Sequence, residues 1–119
     1  KISFKKNIYC TLLLSDNKEI KNLNKKFRQK NKSTDVLSFP FQTKEELNNL
    51  FKKENEIYLG DIIININKIK SKSLNNFKSK FDHLWIHGLV HLLGYDHKKE
   101  KEFLKMNQVE KKYLNLINA

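Results

Sequence analysis

The sequence is poor in the residues that punctuate or staple a chain. It has one cysteine, Cys10, so no disulfide can close within it. That excludes the framework of a small disulfide-rich domain and suits a reducing cytoplasm. One proline and three glycines in 119 residues exclude collagen-like and low-complexity classes. Apolar runs are short too, as at Leu12 to Leu14 and Ile62 to Ile64, far below a membrane span. The basic start from Lys1 to Lys6 is not followed by the apolar stretch of a signal peptide. Arginine is nearly missing: of 24 basic residues, only Arg28 is not lysine.

What is present bounds the rest. The chain is 39% hydrophobic, which argues against wholesale disorder, and its length suits one domain over 1–119. Basic residues outnumber acidic ones 24 to 13, for a net charge of +11. Such a field favours polyanionic partners through steering and counterion release. Its makeup tempers that reading, because abundant Lys, Asn and Ile also follow from A/T-rich coding. Specific phosphate recognition recruits arginine's planar fork, whereas scattered lysine attracts diffusely.

The apolar pattern predicts strands at Ile8 to Leu14, Asp35 to Phe39 and Ile57 to Ile66, the last an interior strand. A helix capped by Ser15 or Asp16 is predicted to run to about Gln29 with Ile20, Leu23 and Phe27 on one face. Thr43 and Glu46 form a capping-box pattern opening a second helix. A polar helical stretch is expected from Lys68 to Ser79, then a strong helix from Phe81 to Leu93 ended by Gly94. A last helix, Lys99 to Ile117, is expected to bury Phe103, Met106, Val109, Tyr113 and Leu116 or Ile117. The fold class that follows is α+β: a small mixed sheet packed against several helices.

The densest chemistry lies between His87 and His97. His87 and His91 are four apart, so a helix stacks both imidazoles on one face. Gly94 permits the positive φ that turns the chain back, and His97 can then reach the same point. Three converging imidazoles suit Zn²⁺ and leave a fourth position for water, the mark of a catalytic metal. The spacing is that of the metzincin peptidases, with Met106 downstream, but Gly88 stands where those enzymes carry their Glu base. His83 lies one turn earlier on the same face. A set of His83, His87 and His91 would span about 12 Å of helix rise, too far for one ion.

Three blocks then carry a family likeness: Leu23 to Arg28 with Ser33-Thr34-Asp35-Val36-Leu37-Ser38-Phe39-Pro40, Leu59-Gly60-Asp61-Ile62, and His87 to His97 with Met106 and Glu110 beyond. On these the sequence resembles the YbeY family of bacterial endoribonucleases along nearly its whole length. Ser33 departs from a common Pro and Val90 from a common Leu, and relatives usually have a further N-terminal strand and helix. The resemblance implies a zinc-dependent, single-strand-specific endoribonuclease acting in the cytoplasm on 16S rRNA 3′-end maturation and ribosome quality control. It implies one zinc ion held by His87, His91 and His97, with Arg28 as the catalytic basic residue. Implied partners are a ribosomal RNA precursor and the ribosome or small-subunit proteins, with no membrane.

Other placements stay open at this level. Asp61, in the strongest predicted strand, is expected to be structural or to take a ligand imidazole N–H, and Asp96 to fix the turn after Gly94, to orient a ligand or to accept a proton. Lys30 and Lys32 could lie along an RNA backbone. A metal-dependent hydrolase of another substrate, or a non-catalytic RNA-binding protein with a structural zinc, would share the histidine pattern.

Overall fold

A computed structural model describes residues 6–70, 72–95 and 100–118 of the chain. Its elements are β1 (Asn7–Ser15), α1 (Asn17–Arg28), β2 (Val36–Pro40), α2 (Lys44–Lys53), β3 (Glu56–Asn65), a 3-10 turn (Ile66–Lys68), α3 (Leu74–Leu92) and α4 (Glu100–Ile117). The three strands form one mixed sheet in the order β1-β3-β2, β1 parallel and β2 antiparallel to β3. This is the α+β arrangement expected. No described helix is long and apolar enough to cross a membrane.

The central position of β3 explains its isoleucine run, since an interior strand is buried on both faces. Ile62 and Ile64 join Leu47, Ile57, Leu59 and Leu92 in one cluster, against which Trp85 and Leu89 of α3 pack. Ile63 points the other way, onto Ile20 of α1 and Leu37 of β2. Leu59 is the extra residue of a bulge, because Tyr9 pairs with Tyr58 while Cys10 pairs with Gly60. Only glycine fits beside it: Gly60 has φ +143°, and a Cβ there would lie 2.2 Å from the Phe39 carbonyl oxygen.

Caps set the helix bounds. Asp16 accepts from the Glu19 N–H at 2.9 Å, and Thr43 and Glu46 close the capping box in both directions. After Arg28, Gln29 turns left-handed at φ 58°. Buried Asn24 donates to the Lys32 carbonyl, and buried Asn65 donates to Asn17, Ser33 and the Thr34 carbonyl. These amides pin the connection that carries the chain from Arg28 into β2.

Two expectations need correction. The polar stretch after Lys68 and the helix from Phe81 are not separate. Ser73 caps a single 19-residue helix, and Phe77 stacks on Phe81 one turn later, at 6.2 Å between ring centroids. In α4 the buried face is Met106, with Val109, Tyr113 and Leu114 packed beside it against Ile86 and Val90. Phe103, Leu116 and Ile117 lie on the exposed side. Among the described residues the helix packs on α3 through the stripe at Met106, Val109 and Tyr113, and Phe103, Leu116 and Ile117 fall outside it.

Within α3, Asp82 is buried and accepts from Lys78 Nζ at 2.9 Å and Trp85 Nε1 at 3.0 Å. Burial works against its ionisation, but the hydrogen bonds from Lys78 and Trp85, with the charges of Lys78 and His83, hold the carboxyl below its usual value. A depressed folded pKa stabilises the protein above the unfolded value of about 3.9. That contribution is lost as pH falls through the lower, folded value. Thermal melts from pH 6 down to pH 2 are expected to show an acid-side loss of stability that Asp82→Asn reduces; parallel curves for both proteins would contradict it.

Candidate metal centre

The C-terminal half of α3 carries two histidines on one face and a glycine on another. A Cβ at Gly88 would come within 2.6 Å of Ile62 Cγ2, and Ser38 Oγ donates to the Gly88 carbonyl at 3.3 Å. Helix and sheet therefore touch through the bare backbone of this residue. The position that holds a general base in the metzincin pattern is here a close contact with β2 and β3, and a glutamate side chain has no room.

The helix ends in a Schellman turn. Gly94 (φ +99°) donates to the His91 carbonyl at 3.0 Å, and Tyr95 N–H donates to the Val90 carbonyl at 3.3 Å. Tyr95 packs back on the cluster that contains Val90, as the motif favours. The turn also brings the Tyr95 carbonyl to His91, whose Nδ1 lies 3.0 Å from it. His87 Nδ1 lies 2.6 Å from Oε1 of Glu110, on α4.

These partners decide the tautomers. A carbonyl oxygen and a carboxylate oxygen only accept, so both Nδ1 atoms carry hydrogen and donate. Each ring then directs its Nε2 lone pair outward, and the two Nε2 atoms face each other at 3.2 Å with the rings nearly perpendicular, at 86°. Between two neutral rings held this way a shared cation, a proton or a metal ion, relieves the repulsion of the lone pairs. Two imidazoles on a tetrahedral zinc ion, with Zn–N of 2.0–2.1 Å, have their nitrogens about 3.3–3.4 Å apart. The donor set and its spacing fit the metal, and His87 and His91 are the described residues that would hold it.

His97 and Asp96 lie outside the described residues. Among those described, His83 is exposed and does not join the pair. Asp61 is not the partner of an imidazole. The bulge at Leu59 puts Tyr58 and Asp61 on the same side of β3, away from α3, where Tyr58 Oη donates to Asp61 at 2.6 Å and Thr11 bonds to Tyr58. Arg28 stands at the outer edge of β2. Its Nη2 donates to the Ser38 carbonyl at 2.6 Å, and its guanidinium lies 5.8 Å from the Phe39 ring centroid. Ser38 thus links Arg28 to the backbone of α3 one residue beyond His87. Lys30 and Lys32 are exposed in the loop that follows.

Sequence reasoning gave no role to Glu110, Ser38 or the Tyr95 carbonyl. Only Glu110 has a signal, an acidic residue four beyond Met106 and so on the same helix face. A backbone carbonyl has none.

Comparison with known proteins is consistent along the chain. The family model described as Endoribonuclease YbeY matches residues 1–118. A protein of that name from Pelagibacter ubique is 52% identical over 108 residues, covering 88% of this chain and 67% of the relative. Another from Mycoplasmopsis pulmonis is 43% identical, covering 99% of this chain and 78% of the relative. A solution structure from Thermotoga maritima superposes with a TM-score of 0.54 at 31% identity, over 90% of this chain and 66% of that one.

Proposed function

The chain belongs to the YbeY family of endoribonucleases, and from that premise we propose that it is a zinc-dependent endoribonuclease acting on single-stranded RNA, in 16S rRNA 3′-end maturation and ribosome quality control. The observation that carries the metal reading is the facing Nε2 pair of His87 and His91 at 3.2 Å, each ring fixed through its Nδ1. His97, two residues beyond Tyr95 in the sequence, is the third ligand in this reading. When bound, zinc supplies Lewis acidity toward a phosphodiester.

The chain's own residues do the rest. Tyr95 and Glu110 accept from the two Nδ1 atoms and so aim both Nε2 atoms at one point. Arg28 commits one Nη to Ser38, which steadies the guanidinium, and its remaining N–H groups can donate to a phosphate oxygen as negative charge builds there. The +11 charge draws a polyanion toward the site and makes binding salt-dependent. Gly88 argues against a peptidase, since its place is filled by helix–sheet packing.

The test is cleavage of a defined single-stranded RNA by protein stripped with a chelator and then given zinc. Activity is expected to vanish and return. Zinc-dependent folding with no cleavage would favour a structural metal and overturn the nuclease reading. Arg28→Ala is expected to lower kcat/KM by about 100-fold, the loss typical of one donor to a developing charge, while zinc content stays at the unsubstituted level. A change of less than threefold would remove Arg28 from the chemistry.

A further inference from the structure

We infer that Glu110 is a positioning residue for the metal centre: its carboxylate accepts from His87 Nδ1 and so fixes the tautomer and ring orientation in which His87 meets the metal. The inference rests on the metal reading above and extends it to α4, which supplies no expected ligand. Three observations carry it.

The first is the contact itself. Glu110 Oε1 and His87 Nδ1 are 2.6 Å apart, the range of a charge-assisted hydrogen bond, with the Glu110 side chain only 20% exposed. The second is the seating of α4. Met106, one turn before Glu110, is 2% exposed and packs with Ile86 and Val90, the residues on either side of His87 along α3. That contact sets the register in which the carboxylate meets the imidazole. The third is the match with His91. Its Nδ1 also has an acceptor, the Tyr95 carbonyl, so both rings are held by the same nitrogen and offer the same one. A pair that served only to tie α3 to α4 would contribute little at a partly exposed site. It would have no reason to repeat on a second imidazole through an unrelated acceptor.

A metal-ligating histidine commonly donates its other N–H to a carboxylate or carbonyl, and loss of that partner typically costs 10–100-fold in metal affinity. Here the two anchors differ in charge. Tyr95 supplies a neutral dipole and Glu110 a full negative charge, so the bond from His87 is the stronger of the two anchors.

The experiment uses the full chain and zinc itself. Zinc affinity is measured by competition with a chromophoric chelator for the unsubstituted protein, Glu110→Gln, Glu110→Ala and Glu110→Asp. The expected result is a loss of roughly 10–100-fold in Glu110→Gln and Glu110→Ala, with partial recovery in Glu110→Asp. In the metal-free protein, long-range ¹H–¹⁵N correlation spectra are expected to show His87 protonated at Nδ1, and an increase of the Nε2–H form in Glu110→Ala. Melting temperatures of the metal-free proteins show whether a variant has merely lost its fold. Affinities equal within twofold, with the His87 tautomer unchanged, would overturn the role of Glu110 and leave the metal reading standing. Failure of the unsubstituted protein to take up zinc would overturn both.

Discussion

His91→Ala is expected to lose zinc from the purified protein and to reduce RNA cleavage to background. His91 contributes one of two Nε2 atoms set 3.2 Å apart, and its Nδ1 bond to Tyr95 has no function without the ring. Removing one of three protein ligands leaves the chain only two of the four positions that zinc prefers, and water must fill the rest. Metal analysis of protein isolated without added zinc, together with a cleavage assay, reads the result. The fold should persist, because His91 is only partly buried and its neighbours Val90 and Leu92 hold the core. Cleavage by His91→Ala at the unsubstituted rate would identify a contaminating ribonuclease and remove the basis for the assignment.

The second large effect concerns Gly88. Gly88→Glu restores the metzincin pattern in sequence, yet it is expected to unfold the protein and to yield no peptidase. The new Cβ alone would sit 2.6 Å from Ile62 Cγ2, in the middle of a side chain that is 0% exposed. Overpacking of this kind costs about 1–3 kcal/mol. The carboxylate adds the cost of burying a charge against Ile62 and Ser38. Together these approach the roughly 5–15 kcal/mol that holds a domain folded. Gly88→Ala separates the two parts: it should remain folded with a lowered melting temperature, by the overpacking cost alone. A folded Gly88→Glu protein with an unshifted melting temperature would show that α3 can lift from the sheet, contrary to the packing described above.

Much of this molecule could be read locally. Asp16, Thr43 and Glu46 announce helix starts because a cap is a contact across three residues. The run from Ile62 to Ile64 announces an interior strand because a strand buried on both faces has no polar alternation to keep. The boundary expected between Ser79 and Phe81 does not exist, because α3 runs through it. Lys, Asn and Ser dominate the stretch before it, and the helix's continuity depends on a Ser73 cap and on Phe77 stacking against Phe81, which composition does not reveal. Phe103 was expected in the core because helical spacing marks a face without saying how wide its partner is. The stripe of α3 that α4 covers is narrow.

The sequence alone determined the two-histidine face and the turn after it. Four-residue spacing and a glycine at positive φ act within one turn of chain, so no distant residue is needed to know that His87 and His91 stand together. Tertiary structure decided what those rings can do. The His87 tautomer depends on Glu110, 23 residues away on another helix, and the missing peptidase base is explained only by Ile62 lying against Gly88. Asp61 was turned away from the site by one extra residue in β3, since a bulge reverses which side chains share a face. Spacing brings ligands to one place, but donor orientation and excluded volume are set by contacts between elements, and those exist only once the helices lie on the sheet.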